Sequence, residues 1–210
     1  MNKVFRFLLL ILLLLSTSSE VFAVKYATVQ YDIPIDYSKI DKSALANQAN
    51  LLFNEYVNMT DKNIKEEYVE PLLKMYMVLS KMEPFNPRNF SCLGVIYDDL
   101  DNDVEAKSNF FKATNIDPSY KYASYCFGNF YYKRGYYRKA LSKFKMSEGI
   151  GTPYSYDWHV KSGSIYEKLG NFEQSLIQYQ AAYSENESEE LYNKILLLED
   201  LNTKNMLYHK

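Results

Sequence analysis

Two cysteines and two histidines in 210 residues leave too little for a dense disulfide framework or a zinc site. His159 and His209 stand apart from each other and from any Cys or carboxylate set at ligand spacing, so no metal is expected. No Gly-rich phosphate loop, nucleophile elbow or His-Glu-x-x-His helix is present. No catalytic residue and no cofactor are therefore assigned. Charge of neither sign dominates: 24 basic against 26 acidic side chains give a formal charge of −2, which is no nucleic-acid footprint. The one long apolar run, Phe7 to Leu15, has nine residues, well short of the roughly 20 that span a bilayer.

That run belongs to a recognisable leader. Lys3 and Arg6 precede it, Ser16 to Glu20 follow, and Val21-Phe22-Ala23 closes it, the layout of a secretory signal peptide covering residues 1–23. Cleavage after Ala23 is the expected outcome, with retention as an anchor the alternative. No cysteine follows the run, so a lipoprotein is not indicated. The reading is an exported chain, periplasmic or secreted, with no membrane insertion after cleavage.

What the chain does have is an internal repeat. Gly94 and Gly128 lie 34 residues apart, and Gly163 holds the same place in a looser third copy. Aligning the three glycines aligns Tyr97, Tyr131 and Tyr166; Ala106, Ala140 and Ser175; Phe110, Phe144 and Tyr179; and Ala113, Ser147 and Ala182. Leu93, Val95, Ile96 and Leu100 have the spacing of one buried helix face. A glycine inside such a helix costs propensity, so it marks close approach of a second helix. Ala106 and Ala140 are the small partners on that second helix, and Phe110 and Phe144, one turn on, supply the bulk. Asp101 to Asp103, Lys133 to Gly135 and Lys168 to Asn171 read as turns within pairs. Asp117-Pro118 and Thr152-Pro153 read as ends of second helices, because a residue before proline leaves the helical region.

The register resembles the tetratricopeptide (TPR) repeat, whose 34-residue unit carries hydrophobe-Gly-x-x-Tyr, then Ala-x-x-x-Phe, then Pro. The resemblance covers about half the chain and implies an all-α, TPR-type helix-turn-helix solenoid. Residues 87–120, 121–154 and 156–189 are its three repeats, with a slightly longer corner expected around Gly149 and Gly151. Residues 24–42, with Pro34, read as an extended lead. Residues 43–86 read as a degenerate repeat or cap pair, with Leu45, Ala49, Leu52, Phe53 and Tyr56 on its first helix. Val69, Leu72, Leu73, Tyr76 and Leu79 line its second, where Pro71 either kinks the helix or marks its first turn. Residues 189–201, with Leu191, Tyr192, Ile195, Leu196 and Leu198, read as a helix covering the open end, and 202–210 as a tail. Trp158 reads as a core anchor rather than a ligand-stacking ring. Cys92 and Cys126 occupy equivalent places in adjacent copies. The favoured state is two packed thiols, with a disulfide the alternative.

The resemblance also implies a concave groove lined by first helices that receives a peptide. Tyr122, Tyr125, Asn129 and Tyr132 share a helix face distinct from that of Phe127 and Tyr131. Arg88, Ser91, Val95 and Asp98 would flank them on one side, and Asp157, Val160, Ser164, Glu167 and Lys168 on the other. On this reading Tyr125→Ala weakens partner binding and leaves stability nearly unchanged. A carboxylate clamp of the chaperone-binding type is not expected. Its places hold Ser91, Val95, Cys126, Asp157 and Lys161, of which Lys161 alone fits. The cluster Lys133, Arg134, Arg138, Lys139, Lys143 and Lys145 reads as a solvated helix surface. The chain is thus expected to be an exported, non-catalytic adaptor or scaffold for a protein or peptide in a bacterial envelope. An envelope enzyme and a self-associating structural protein are the alternatives.

Overall fold

A computed structural model describes residues 36–208 apart from position 152, with side chains placed as far as residue 204. The leader at 1–23 and most of the lead at 24–42 fall outside the described residues. The described part of the lead holds a single 3-10 turn, Tyr37–Lys39. The backbone divides at Asp101 into two compact units, so the first repeat contributes one helix to each.

The first unit contains α1 (Lys42–Asn58), α2 (Lys62–Met82) and α3 (Pro87–Asp99), with α2 packed on both neighbours. Asp41 and Asp61 start α1 and α2 by accepting from backbone amides of the first turn, which satisfies donors a helix cannot pair internally. Asn86 does the same for α3, where Pro87 occupies the first turn at no hydrogen-bond cost. α2 runs continuously through Pro71. The expected core positions Leu45, Ala49, Leu52, Phe53 and Tyr56 are buried, as are Leu72, Tyr76 and Leu79; Tyr68 and Met75 join them. On α3, Leu93 and Ile96 are buried, whereas Leu100, assigned to the same stripe, caps the helix one residue past its end with its side chain exposed. Polar atoms inside this unit are tied. The Tyr56 hydroxyl donates to Asp99 at 3.0 Å, and Lys65 pairs with the same carboxylate at 2.7 Å while lying over the Tyr56 ring.

The second unit contains α4 (Asp103–Ile116), α5 (Lys121–Lys133), α6 (Tyr137–Met146), α7 (Tyr154–Lys168), α8 (Phe172–Glu185) and α9 (Glu189–Tyr208). α5 packs on α4, α6 and α7; α7 packs on α8, and α8 on α9. The repeat columns explain the α5–α6 and α7–α8 pairs. A Cβ on Gly128 would stand 2.5 Å from the Phe144 ring, and one on Gly163 would stand 2.9 Å from the Tyr179 ring. Ala140 is fully buried, and Ser175, in the same column, donates its hydroxyl to the Gly163 carbonyl at 2.8 Å. The serine is therefore a polar version of the same close contact. Tyr131 stacks on Phe127 with centroids 4.6 Å apart, and Phe110 of α4 lies 5.6 Å from Phe127. Gly135 and Gly170, equivalent turn positions, have positive φ, and Asp101 takes the same left-handed conformation in the first copy.

Two boundaries differ from expectation. Pro153 does not end α6, which stops at Met146; it lies at the N-cap of α7, where its missing N–H costs nothing. The corner from α6 to α7 is accordingly longer than that from α4 to α5. α9 does not stop at Leu201 but continues to Tyr208, through part of the supposed tail. Leu191, Ile195 and Leu198 of α9 close over Tyr179 and Ala182. Tyr192 and Leu196, expected in that core, are about half exposed. Trp158 is buried and stacks on His159 at 3.8 Å, as a core anchor should.

Candidate functional site

The face of α5 that bears Tyr122, Tyr125, Asn129 and Tyr132 meets α7 in the second unit. All four side chains are half-buried. Tyr154 at the start of α7 completes an aromatic cluster, with ring centroids 5.4 Å from Tyr122 and 5.0 Å from Tyr125. Below it, the Tyr125 hydroxyl donates to Asp157 at 2.8 Å, and Lys161 pairs with that carboxylate at 2.5 Å. The Lys161 ammonium also donates to Asn129 at 2.8 Å and lies 5.9 Å from the Tyr132 ring. Burial first, and the neighbouring Asp157 charge second, push the Tyr125 phenol well above the usual tyrosine range, so it stays a donor.

Further along the same face, Lys168 donates to the Tyr137 hydroxyl at 3.1 Å. Glu167 accepts from Lys194 of α9 at 2.8 Å and from the Tyr179 hydroxyl at 3.3 Å. The charged groups around the tyrosines are therefore matched within the unit. What remains for a ligand is ring surface, hydroxyls and amide groups, a surface with large contact area and few rotamers to freeze.

The sequence-assigned residues do not all belong to this face. Val160, partly buried, packs against the cluster formed by Tyr179, Ala182, Leu191, Ile195 and Leu198. Ser91 is fully buried on α3, its hydroxyl donating to the Pro87 carbonyl of its own helix at 2.9 Å. It cannot meet a ligand. Arg88, also in the first unit, donates from Nε to Asn50 at 2.7 Å, and Val95 is half-buried there. Tyr154 and Tyr137 were missed. Tyr154 is in phase with Asp157 and Lys161 at helical spacing, but was hidden by reading Pro153 as the end of the preceding helix.

Tyr125 was expected to be dispensable for stability, and its surroundings argue against that half of the assignment. Its ring contacts Tyr122, Tyr154 and Phe144, and its hydroxyl holds Asp157. Tyr125→Ala is expected to cost about 2–4 kcal/mol, whereas Tyr125→Phe, which removes the hydroxyl alone, should cost about 1 kcal/mol. Chemical denaturation of the two variants checks the order. Equal and negligible losses would show that the ring is not packed.

Cys92 and Cys126 are both buried, and no disulfide joins them. Among the described residues no helix is long and apolar enough to cross a membrane.

Known proteins bear on the fold. No family model matches the chain. The Arabidopsis thaliana protein SLOW GREEN 1, chloroplastic, is 34% identical over 84 residues, which cover 40% of this chain and 23% of that protein. The match thus spans about a quarter of the curated relative's length. Among solved structures, the crystal structure of MamA protein is similar with a TM-score of 0.55 at 20% identity, covering 72% of this chain and 82% of that one. The MamA RS-1 ArsTM double mutant gives 0.58 at 18% identity, over 78% and 86%. TTC0263, a thermophilic TPR protein of Thermus thermophilus, gives 0.54 at 16% identity, over 86% and 98%. The fold is an all-α, TPR-type helix-turn-helix solenoid.

Proposed function

We propose that the protein is an exported, non-catalytic scaffold that holds a protein or peptide segment on the tyrosine-lined face of α5 and α7. The observation that carries the reading is the internal matching of charge beneath Tyr122, Tyr125, Tyr132 and Tyr154: Asp157 is held by Lys161 and Tyr125, and Lys161 by Asn129. Such a surface favours a segment with aromatic, amide or backbone groups over a charged terminus, and its affinity should depend weakly on salt. TPR-like solved structures support an interaction module by analogy of fold. The export step rests on the signal-like composition of residues 1–23, and a bacterial envelope as the setting rests on that leader together with the residue bias of the chain.

A photo-reactive residue at Tyr132, with a control at Gln180 on the exposed side of α8, tests the site in living cells. A discrete adduct from position 132 alone, lost when Tyr122 and Tyr154 are changed to Ala, is the expected result. Identical adducts from both positions would remove the face from consideration. Recovery of the chain with the leader intact, inside the cell, would overturn the export half separately.

A further inference from the structure

Charge is distributed along the second unit in two one-signed blocks. Residues 121–147 contain seven basic side chains and no acidic one; residues 169–193 contain five acidic side chains and no basic one. Elsewhere lysines find carboxylates: Lys42 with Glu83, Lys65 with Asp99, Lys161 with Asp157, Lys194 with Glu167. On α6, Arg138, Lys139, Lys143 and Lys145 pair with no carboxylate among the described residues. Lys139 lies over the Tyr131 and Tyr136 rings, and Lys143 over Phe127, so the aromatic shelf of α5 positions both ammonium groups. Lys143 is half-buried, and its other contact is the weak Met146 sulfur acceptor. At the α8–α9 turn, Glu187, Glu189 and Glu190 are exposed, and no cation pairs with them among the described residues.

We propose that the α8–α9 turn of one copy docks on α6 of another, so that the chain associates head to tail with itself. The two patches fit in sign and in length. Arg138 to Lys145 extends about 10 Å along a helix, and Glu187 to Glu190 spans about the same distance at most. Each patch is flanked by exposed apolar side chains that would be covered in the contact. Tyr136 and Met146 stand at the two ends of α6, and Tyr192 and Leu196 follow the acidic turn on α9. Because the contact joins two different surfaces, a pair keeps one of each free, and association continues beyond a dimer unless a ring closes. This use of the second unit is separate from the tyrosine face.

Sedimentation velocity on the full chain as recovered from the cell provides the test, at about 50 mM and about 500 mM salt, where screening lengths differ severalfold. Wild type is expected to form concentration-dependent oligomers at low salt that dissociate at high salt. Two double variants, Lys139→Glu with Lys145→Glu and Glu187→Lys with Glu190→Lys, should each associate at least about tenfold more weakly. Mixed together, they should associate again, since the native turn of one variant meets the native α6 of the other. That recovery also shows that both variants fold. If either reversal melts early, Lys139→Gln with Lys145→Gln is read in its place and should also weaken association. Wild type that stays monomeric at low salt overturns the proposal, as does undiminished association of the reversed variants. A chain that stays monomeric and binds anionic vesicles also overturns it, and gives the cations to a lipid surface.

Discussion

Gly128→Leu is expected to leave the chain without a folded second unit. A single Cβ at position 128 would already meet two atoms of the Phe144 ring at 2.5 Å, closer than real carbon contacts allow. Phe144 has no measurable exposure. Inserting even small groups into a packed core costs about 1–3 kcal/mol; a leucine at a helix crossing adds three more carbons, and the loss should exceed about 4 kcal/mol. That approaches the whole stability of an ordinary domain, about 5–15 kcal/mol. Gly163→Ala is the milder counterpart, because the obstacle is the Tyr179 ring at 2.9 Å and better helix propensity offsets part of the strain. Thermal melts by circular dichroism order the variants. A Gly128→Leu protein melting within a few degrees of wild type would show that α5 and α6 do not cross at this glycine.

Raising pH should unfold the chain through its buried phenols. Tyr56, Tyr76 and Tyr179 are at most 5% exposed, and burial, the largest cause, pushes each far above the ordinary phenol value of 10.0. Asp99 beside Tyr56 and Glu167 beside Tyr179 add to the effect. Below about pH 9 the phenols are neutral in both folded and unfolded chains, so they contribute no slope. Above about pH 10 the unfolded chain releases these protons and the folded chain keeps them, which favours unfolding. Each phenol then costs about 1.4 kcal/mol per pH unit, roughly 4 kcal/mol per unit for the three. Cys92 acts in the same direction from lower pH, because burial pushes its thiol from 9.0 up to about 12. Tyrosinate absorbance and helical dichroism, followed together, should show an early step from exposed tyrosines, then a cooperative step with loss of helix at about pH 10–12. Titration of all tyrosines in one broad wave with helix intact would contradict this burial.

The fold was legible because TPR-like helices cross where side chains run out. Gly128 and Gly163 announce the crossings, and Phe144 and Tyr179 fill them. Ser175 shows the limit of matching letters, since its place among the alanines is explained only by its hydroxyl reaching the Gly163 carbonyl. The tyrosine face was half legible. Helical spacing collected Tyr122, Tyr125, Asn129 and Tyr132 onto one face of α5. It could not reveal that Tyr125 anchors Asp157 across the α5–α7 contact, or that Val160 packs against the cluster shared by α8 and α9. Pro153 misled because proline is equally at home just after one helix and just before the next. The basic cluster was visible from the start, yet its meaning depends on which carboxylates each lysine can reach, and that is decided by folding.

Trp158 gives the molecule a built-in optical label. It is the sole tryptophan, it lies on α7 of the second unit, and its indole is stacked on the His159 ring. Its emission therefore reports the opening of α7 and its neighbours alone, while far-ultraviolet dichroism sums the helices of both units. Fluorescence and dichroism that coincide on heating would describe one cooperative block; curves that separate would give each unit its own transition without a mutation being made.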